Sequence, residues 1–157
     1  MDFELKTLTR ARLSTEKCDA LVFLVPQDMT TSNSADPVSK LIALAIKSGD
    51  LETKPGKLIS SYRSAGLAAT RLVLVGCGDG SAKNVRLAVA AAINSLKSSN
   101  VKRVVLSLSA FEEPSNDLVR TAVVACGDAA YAYATTKSKP VPVKLEQVAL
   151  VVPNAAK

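Results

Sequence analysis

The chain is 157 residues long, 48% hydrophobic and only 4% aromatic, with a net charge of +6. That composition points to one globular domain with a core of Ala, Val and Leu, and it excludes a disordered chain. There is no histidine, which removes Ser-His and Cys-His catalysis and every His-ligated metal site.

Phe3–Leu8 alternates apolar and charged residues and predicts a half-buried strand. Thr9–Lys17 is polar and leads into Cys18–Val25, an apolar run that predicts a buried strand stopped by Pro26. Gln27–Ala35 reads as a loop of Thr, Ser and Asn. Asp36-Pro37 opens a helix, with Asp as cap and Pro at the first helical position. Its apolar stripe is Val38, Leu41, Ile42, Ala45 and Ile46. Gly49 marks its stop. Lys54-Pro55-Gly56-Lys57 is a turn, because Pro pre-sets φ and Gly tolerates φ > 0.

Leu58–Arg63 and Leu72–Val75 read as strands, the second covered on both faces. A helix from the cap Ser81 to about Ser98 buries Val85, Ala88, Val89, Ala92, Ile93 and Leu96. Val101–Leu108 is the next strand, with the loop Phe111–Pro114 after it. A long helix, capped by Ser115 or Asn116, runs to about Thr135 and buries Leu118, Ala122, Ala125, Cys126, Ala129 and Tyr133. Lys137–Val143 is a proline-stiffened connection, and Glu146–Val152 is a final buried strand. The order β-β-α-β-β-α-β-α-β predicts an α/β fold: three layers, with helices on both faces of a mixed, mostly parallel sheet.

Few residues offer chemistry. Gly76-Cys-Gly-Asp-Gly80 leaves a strand for a helix, where backbone N–H groups can hold phosphate. Gly76, Gly78, Gly80 and Ser81 are therefore the candidate phosphate or nucleotide loop. Against this, Ser81 stands where the dinucleotide fingerprint wants its third glycine, and the next strand lacks a terminal acid. The bland reading is a tight strand-to-helix turn. Glu112-Glu113 is the only adjacent acid pair and reads as a solvated loop. Lys137, Lys139 and Lys144 form the densest basic run, with Lys102-Arg103 second, and are the candidate DNA contacts. Tyr131 and Tyr133 alternate on a helix and cannot both serve as a stacking platform on one face. Cys18, Cys77 and Cys126 are far apart in apolar surroundings and suit reduced, packed thiols.

The longest apolar runs, Ala20–Pro26 and Leu72–Val75, are far too short to span a bilayer. Met-Asp-Phe-Glu-Leu-Lys lacks the basic and apolar regions of a signal peptide, so a cytoplasmic location is expected.

Two motifs carry a resemblance. Gly49-Asp-Leu-Glu-x-Lys-Pro-Gly56 followed by Arg71-Leu-Val-Leu-Val-Gly-Cys-Gly78 resembles the N-terminal domain of the leucyl (cytosol) aminopeptidase family. The opening Met1–Leu5 and the strands Cys18–Val25 and Val148–Val152 fit the same pattern, so the likeness covers nearly the whole chain. It implies a macro-domain-like architecture for residues 1–157, as one non-catalytic domain. A larger C-terminal metallopeptidase domain is then expected beyond this chain, as its structural partner.

The family's enzymes release N-terminal amino acids, preferably leucine, from peptides by two-metal hydrolysis. The resemblance places those two ions, manganese or zinc, in the C-terminal domain, with no cofactor bound by this segment. The family motif Asn-Thr-Asp-Ala-Glu-Gly-Arg does not occur here, so no catalytic or metal-binding residue carries over. The resemblance also implies a bacterial-type parent, a hexamer, and in some members contact with DNA. The rival readings are a stand-alone nucleotide- or ADP-ribose-binding module and a DNA-binding module.

Overall fold

The computed structural model describes residues 2–7, 17–26, 37–49, 51–62, 68–96, 101–108, 116–136 and 147–152. The strands are β1 (Asp2–Thr7), β2 (Ala20–Val25), β3 (Leu58–Tyr62), β4 (Arg71–Gly76), β5 (Arg103–Ser107) and β6 (Gln147–Val152). The helices are α1 (Pro37–Lys47), α2 (Ala82–Leu96) and α3 (Asn116–Thr136). They form one six-stranded sheet in the order β1-β6-β5-β2-β4-β3. All pairings are parallel except β3 with β4. This is the three-layer, mostly parallel α/β fold the element order predicts.

The pleat divides the core. On one face Ala20, Val22, Leu24, Val73, Val75, Val104, Leu106, Val148 and Leu150 meet α2 and α3. On the other, Leu21, Phe23, Val25, Leu72, Leu74, Val105, Ala149 and Val151 meet Ile42 and Ala45 of α1. The central strands read as unbroken apolar runs because both of their faces are covered. Alanine makes the helix layer close: Ala88 and Ala92 of α2 and Ala122 and Ala125 of α3 are all buried. The predicted stripe of α2, from Val85 to Leu96, is the observed buried set.

The helix ends follow their local signals. Gly49 takes φ 82° and donates to Ile46 O at 3.1 Å, closing α1. The turn at 54–57 closes with Lys57 N on Lys54 O at 3.2 Å, and Gly56 has φ 84°. Pro second and a left-handed Gly third is the requirement of a type II turn.

One expectation shifts. β1 was expected to be half-buried, yet Phe3 is 40% and Leu5 52% exposed. The reason is position: β1 is an edge strand, and its partner β6 lies about 140 residues downstream. β3 pairs antiparallel at the other edge, which a five-residue run could not announce. The cap Asp36, Glu112-Glu113 and the connection 137–143 lie outside the described residues, as do the side chains of Val38, Ala129, Tyr131 and Tyr133.

Candidate functional site: the glycine turn after β4

In a parallel sheet, ligands bind beyond the carboxyl ends of strands where successive connections leave for opposite faces. Here that point is β2. It leads to α1 on one face, while its neighbours β4 and β5 lead to α2 and α3 on the other. Of the loops around it, the turn from Gly76 to Ser81 is described.

The turn is a closed hydrogen-bonding unit. Gly76 N donates to Lys57 O at 2.7 Å, Cys77 N to Val25 O at 3.0 Å and Gly78 N to Thr53 O at 2.8 Å. Gly80 N donates to Cys77 O at 3.0 Å, and Ser81 N to Asp79 Oδ1 at 2.9 Å. Five N–H groups that could have cradled a phosphate thus serve protein acceptors. The segment 52–57 lies directly on the turn. A Cβ on Gly76 would stand 2.5 Å from Lys54 O and 2.7 Å from Glu52 O. Gly78 has φ 57°, and a Cβ there would meet Pro55 Cγ at 3.0 Å. Both glycines serve backbone geometry: Gly76 a close approach, Gly78 a left-handed turn.

The start of α2 carries its own anion. Asp79 Oδ1 accepts from Ser81 N and, at 2.6 Å, from Asn84 Nδ2. Asn84 N donates to Ser81 Oγ at 3.4 Å, so Ser81 caps the helix as its sequence position predicts. Hydrogen bonds from the Ser81 N–H first, then the Ser81 hydroxyl and the Asn84 amide, hold the Asp79 carboxyl below its ordinary 3.8. A carboxylate held at a helix N-terminus takes the place a phosphate would use.

The remaining candidates are dispersed. Cys77 is buried, and Cys126 is pushed up to about 12 by burial, so its thiol stays protonated and packed. Lys137, Lys139 and Lys144 lie outside the described residues. Lys102 is exposed, but its neighbour Arg103 turns inward and Nη1 donates to Lys17 O at 2.5 Å. Asp19 Oδ2 accepts from the N–H groups of Lys102 and Arg103 at 2.9 and 3.0 Å. This aspartate ties the start of β2 to that of β5. Sequence reading missed it, although an acid directly before an apolar strand was a visible signal. An open depression of about 650 Å³ beside it is lined by Lys17, Cys18, Asp19, Ala68, Thr70 and Arg103.

The sequence has no histidine, and among the described residues no three of Cys, Asp and Glu converge. No described helix is long and apolar enough to cross a membrane.

The fold and the closed turn define a three-layer α/β module whose glycine turn is filled by its own chain. Residues 21–140 match the family model for the N-terminal domain of the cytosol aminopeptidase family. A probable cytosol aminopeptidase of Polaromonas sp. (strain JS666 / ATCC BAA-500) is 58% identical over 150 residues, which are 96% of this chain and 29% of that protein. Among solved structures, a tomato leucine aminopeptidase mutant superposes with a TM-score of 0.72 at 16% identity, over 99% of this chain and 34% of its own. A Trypanosoma brucei macrodomain in complex with ADP-ribose gives 0.65 at 10% identity, over 96% and 64%. The chain belongs to the cytosol aminopeptidase family, as an N-terminal domain of that family. It spans under a third of the Polaromonas relative's length.

Proposed function

We propose that this chain is the non-catalytic N-terminal part of a leucyl aminopeptidase that works in the cytosol. The parent removes N-terminal residues, leucine best, from peptides, and its two divalent metal ions and all its catalytic groups belong to the C-terminal domain. This segment contributes packing surface to that domain and to a homo-oligomer, a hexamer by family resemblance. The observation that carries the reading is the Polaromonas match, which takes in nearly all of this chain and less than a third of an aminopeptidase. The absence of histidine and of the family's metal-binding motif from the sequence is consistent with it.

The test compares two proteins on a leucyl chromogenic substrate with added manganese. The 157-residue chain should be inactive, and the longer chain carrying the C-terminal domain should be active. Metal-dependent hydrolysis by the 157 residues alone would sink the division of labour.

A nucleotide or ADP-ribose role at Gly76, Gly78, Gly80 and Ser81 draws on fold likeness to macrodomains. The engaged donors of the turn weigh against it. If it holds, ADP-ribose raises the melting temperature by mass action; an unchanged temperature at millimolar ligand removes it. A DNA role for Lys137, Lys139 and Lys144 calls for binding that weakens steeply with salt.

A further inference from the structure

We propose that the outer edge of β3 is a docking site for an extended segment of another polypeptide in which apolar and acidic residues alternate. β3 stands at the end of the sheet order, and among the described residues β4 is its one neighbouring strand. The bond from Gly76 N to Lys57 O fixes the phase of the antiparallel ladder. Lys57, Ile59 and Ser61 face their partners across that ladder, so the N–H and C=O groups of Leu58 and Ser60 point away from β4. An edge of this kind templates an added strand unless something blunts it. Proline, a bulge or an inward charge would do so, and none stands within Leu-Ile-Ser-Ser-Tyr.

The side chains add specificity. The short serines leave a hollow on each face of the same strand. On the α1 face a hollow of about 190 Å³ is lined by Leu41, Ala45, Ile59, Leu72 and Leu74. Helical spacing places Leu44, 63% exposed, on the same flank of α1 as Leu41. On the α2 face a hollow of about 160 Å³ is lined by Ser60, Tyr62, Arg71, Val73 and Ser95. The Arg71 guanidinium lies 5.5 Å over the Tyr62 ring, which orients it at that hollow.

Successive side chains of an added strand point to opposite faces. Every second residue would enter the apolar hollow, and the residues between would lie beside Arg71. An acid there meets the Arg71 cation. Backbone pairing supplies affinity and the two hollows supply choice, as in other strand-addition interfaces. A second copy of this chain is the poorer occupant: its own β3 carries no acid and would bring Lys57 against a basic edge.

The experiment titrates the isotope-labelled chain with a blocked Glu-Leu-Glu-Leu-Glu peptide and follows amide shifts. Saturable shifts are expected at Leu58–Tyr62, Ala45 and Arg71. Binding should be about tenfold or more tighter than for Lys-Leu-Lys-Leu-Lys, a difference of about 1.4 kcal/mol. Arg71→Glu should reverse that preference. Ser60→Pro should abolish binding with the sheet intact, because its N–H faces outward. Equal binding of both peptides, no saturation at millimolar peptide, or unchanged binding by Ser60→Pro overturns the proposal. So does concentration-dependent shifting of the same amides without peptide, which would make the occupant a second copy. Exchange protection of the Ser60 amide in the longer chain without peptide would make it the downstream polypeptide, and the proposal would fall.

Discussion

The turn after β4 and the outer edge of β3 are neighbours, yet they treat backbone polar groups in opposite ways. At the turn, the N–H groups of Gly76, Cys77, Gly78, Gly80 and Ser81 all reach protein acceptors, and Asp79 supplies the anion. Along β3, the groups of Leu58 and Ser60 point outward beside two hollows. The glycine-rich segment looks like a binding loop by composition, yet it is filled by its own chain. The plain Leu-Ile-Ser-Ser-Tyr strand carries no motif, yet it turns the backbone groups of Leu58 and Ser60 away from β4. Recognition depends on which donors are left over, and composition does not report that.

Substitutions at the two places test this contrast. Gly76→Ala should have the largest effect, because backbone atoms stand 2.5–2.7 Å from the new Cβ and cannot move cheaply. A loss of about 3 kcal/mol or more in urea unfolding is expected. A near-neutral result would mean that segment 52–57 does not seal the turn. Ser61→Pro should cost about 3 kcal/mol by the same measurement, since its N–H belongs to the ladder with β4.

Gly78→Ala should cost about 1–2 kcal/mol, from a left-handed φ and a contact that the Pro55 ring can relieve. Ser60→Pro should stay within about 1 kcal/mol of the parent chain, because the N–H it removes faces outward. Equal penalties at Ser60 and Ser61 would show that the assigned ladder phase is wrong.

Asp79→Asn should show the smallest effect, visible only in the pH dependence of stability. The folded carboxyl titrates below its ordinary 3.8, so its contribution is complete above that value and is lost as the pH falls through the lower folded value. The variant should lack that acid-side loss and match the parent chain's slope at neutral pH. An identical acid limb in both proteins would show that the Ser81 and Asn84 contacts do not hold the carboxylate.

How far the sequence could be read follows from the range of each interaction. The buried stripe of α2, the Pro55-Gly56 turn and the Gly49 stop all depend on residues within a few positions, and all were legible. The central strands were legible because double burial leaves continuous apolar runs. The exposure of Phe3 and Leu5 was not, since an alternating strand reads the same at an edge as inside. The glycine turn was legible as geometry, but its donors' partners were not. Val25, Thr53 and Lys57 come from two other segments.

The elements, their order, the family and the lack of histidine chemistry could be read from the amino acids alone, because periodicity, turn residues and composition are local. That β3 ends the order of described strands, that segment 52–57 closes the glycine turn and that Arg71 lies over Tyr62 came from the folded structure alone. Those facts depend on pairings between distant segments, whose register is set by burying both faces of the sheet at once.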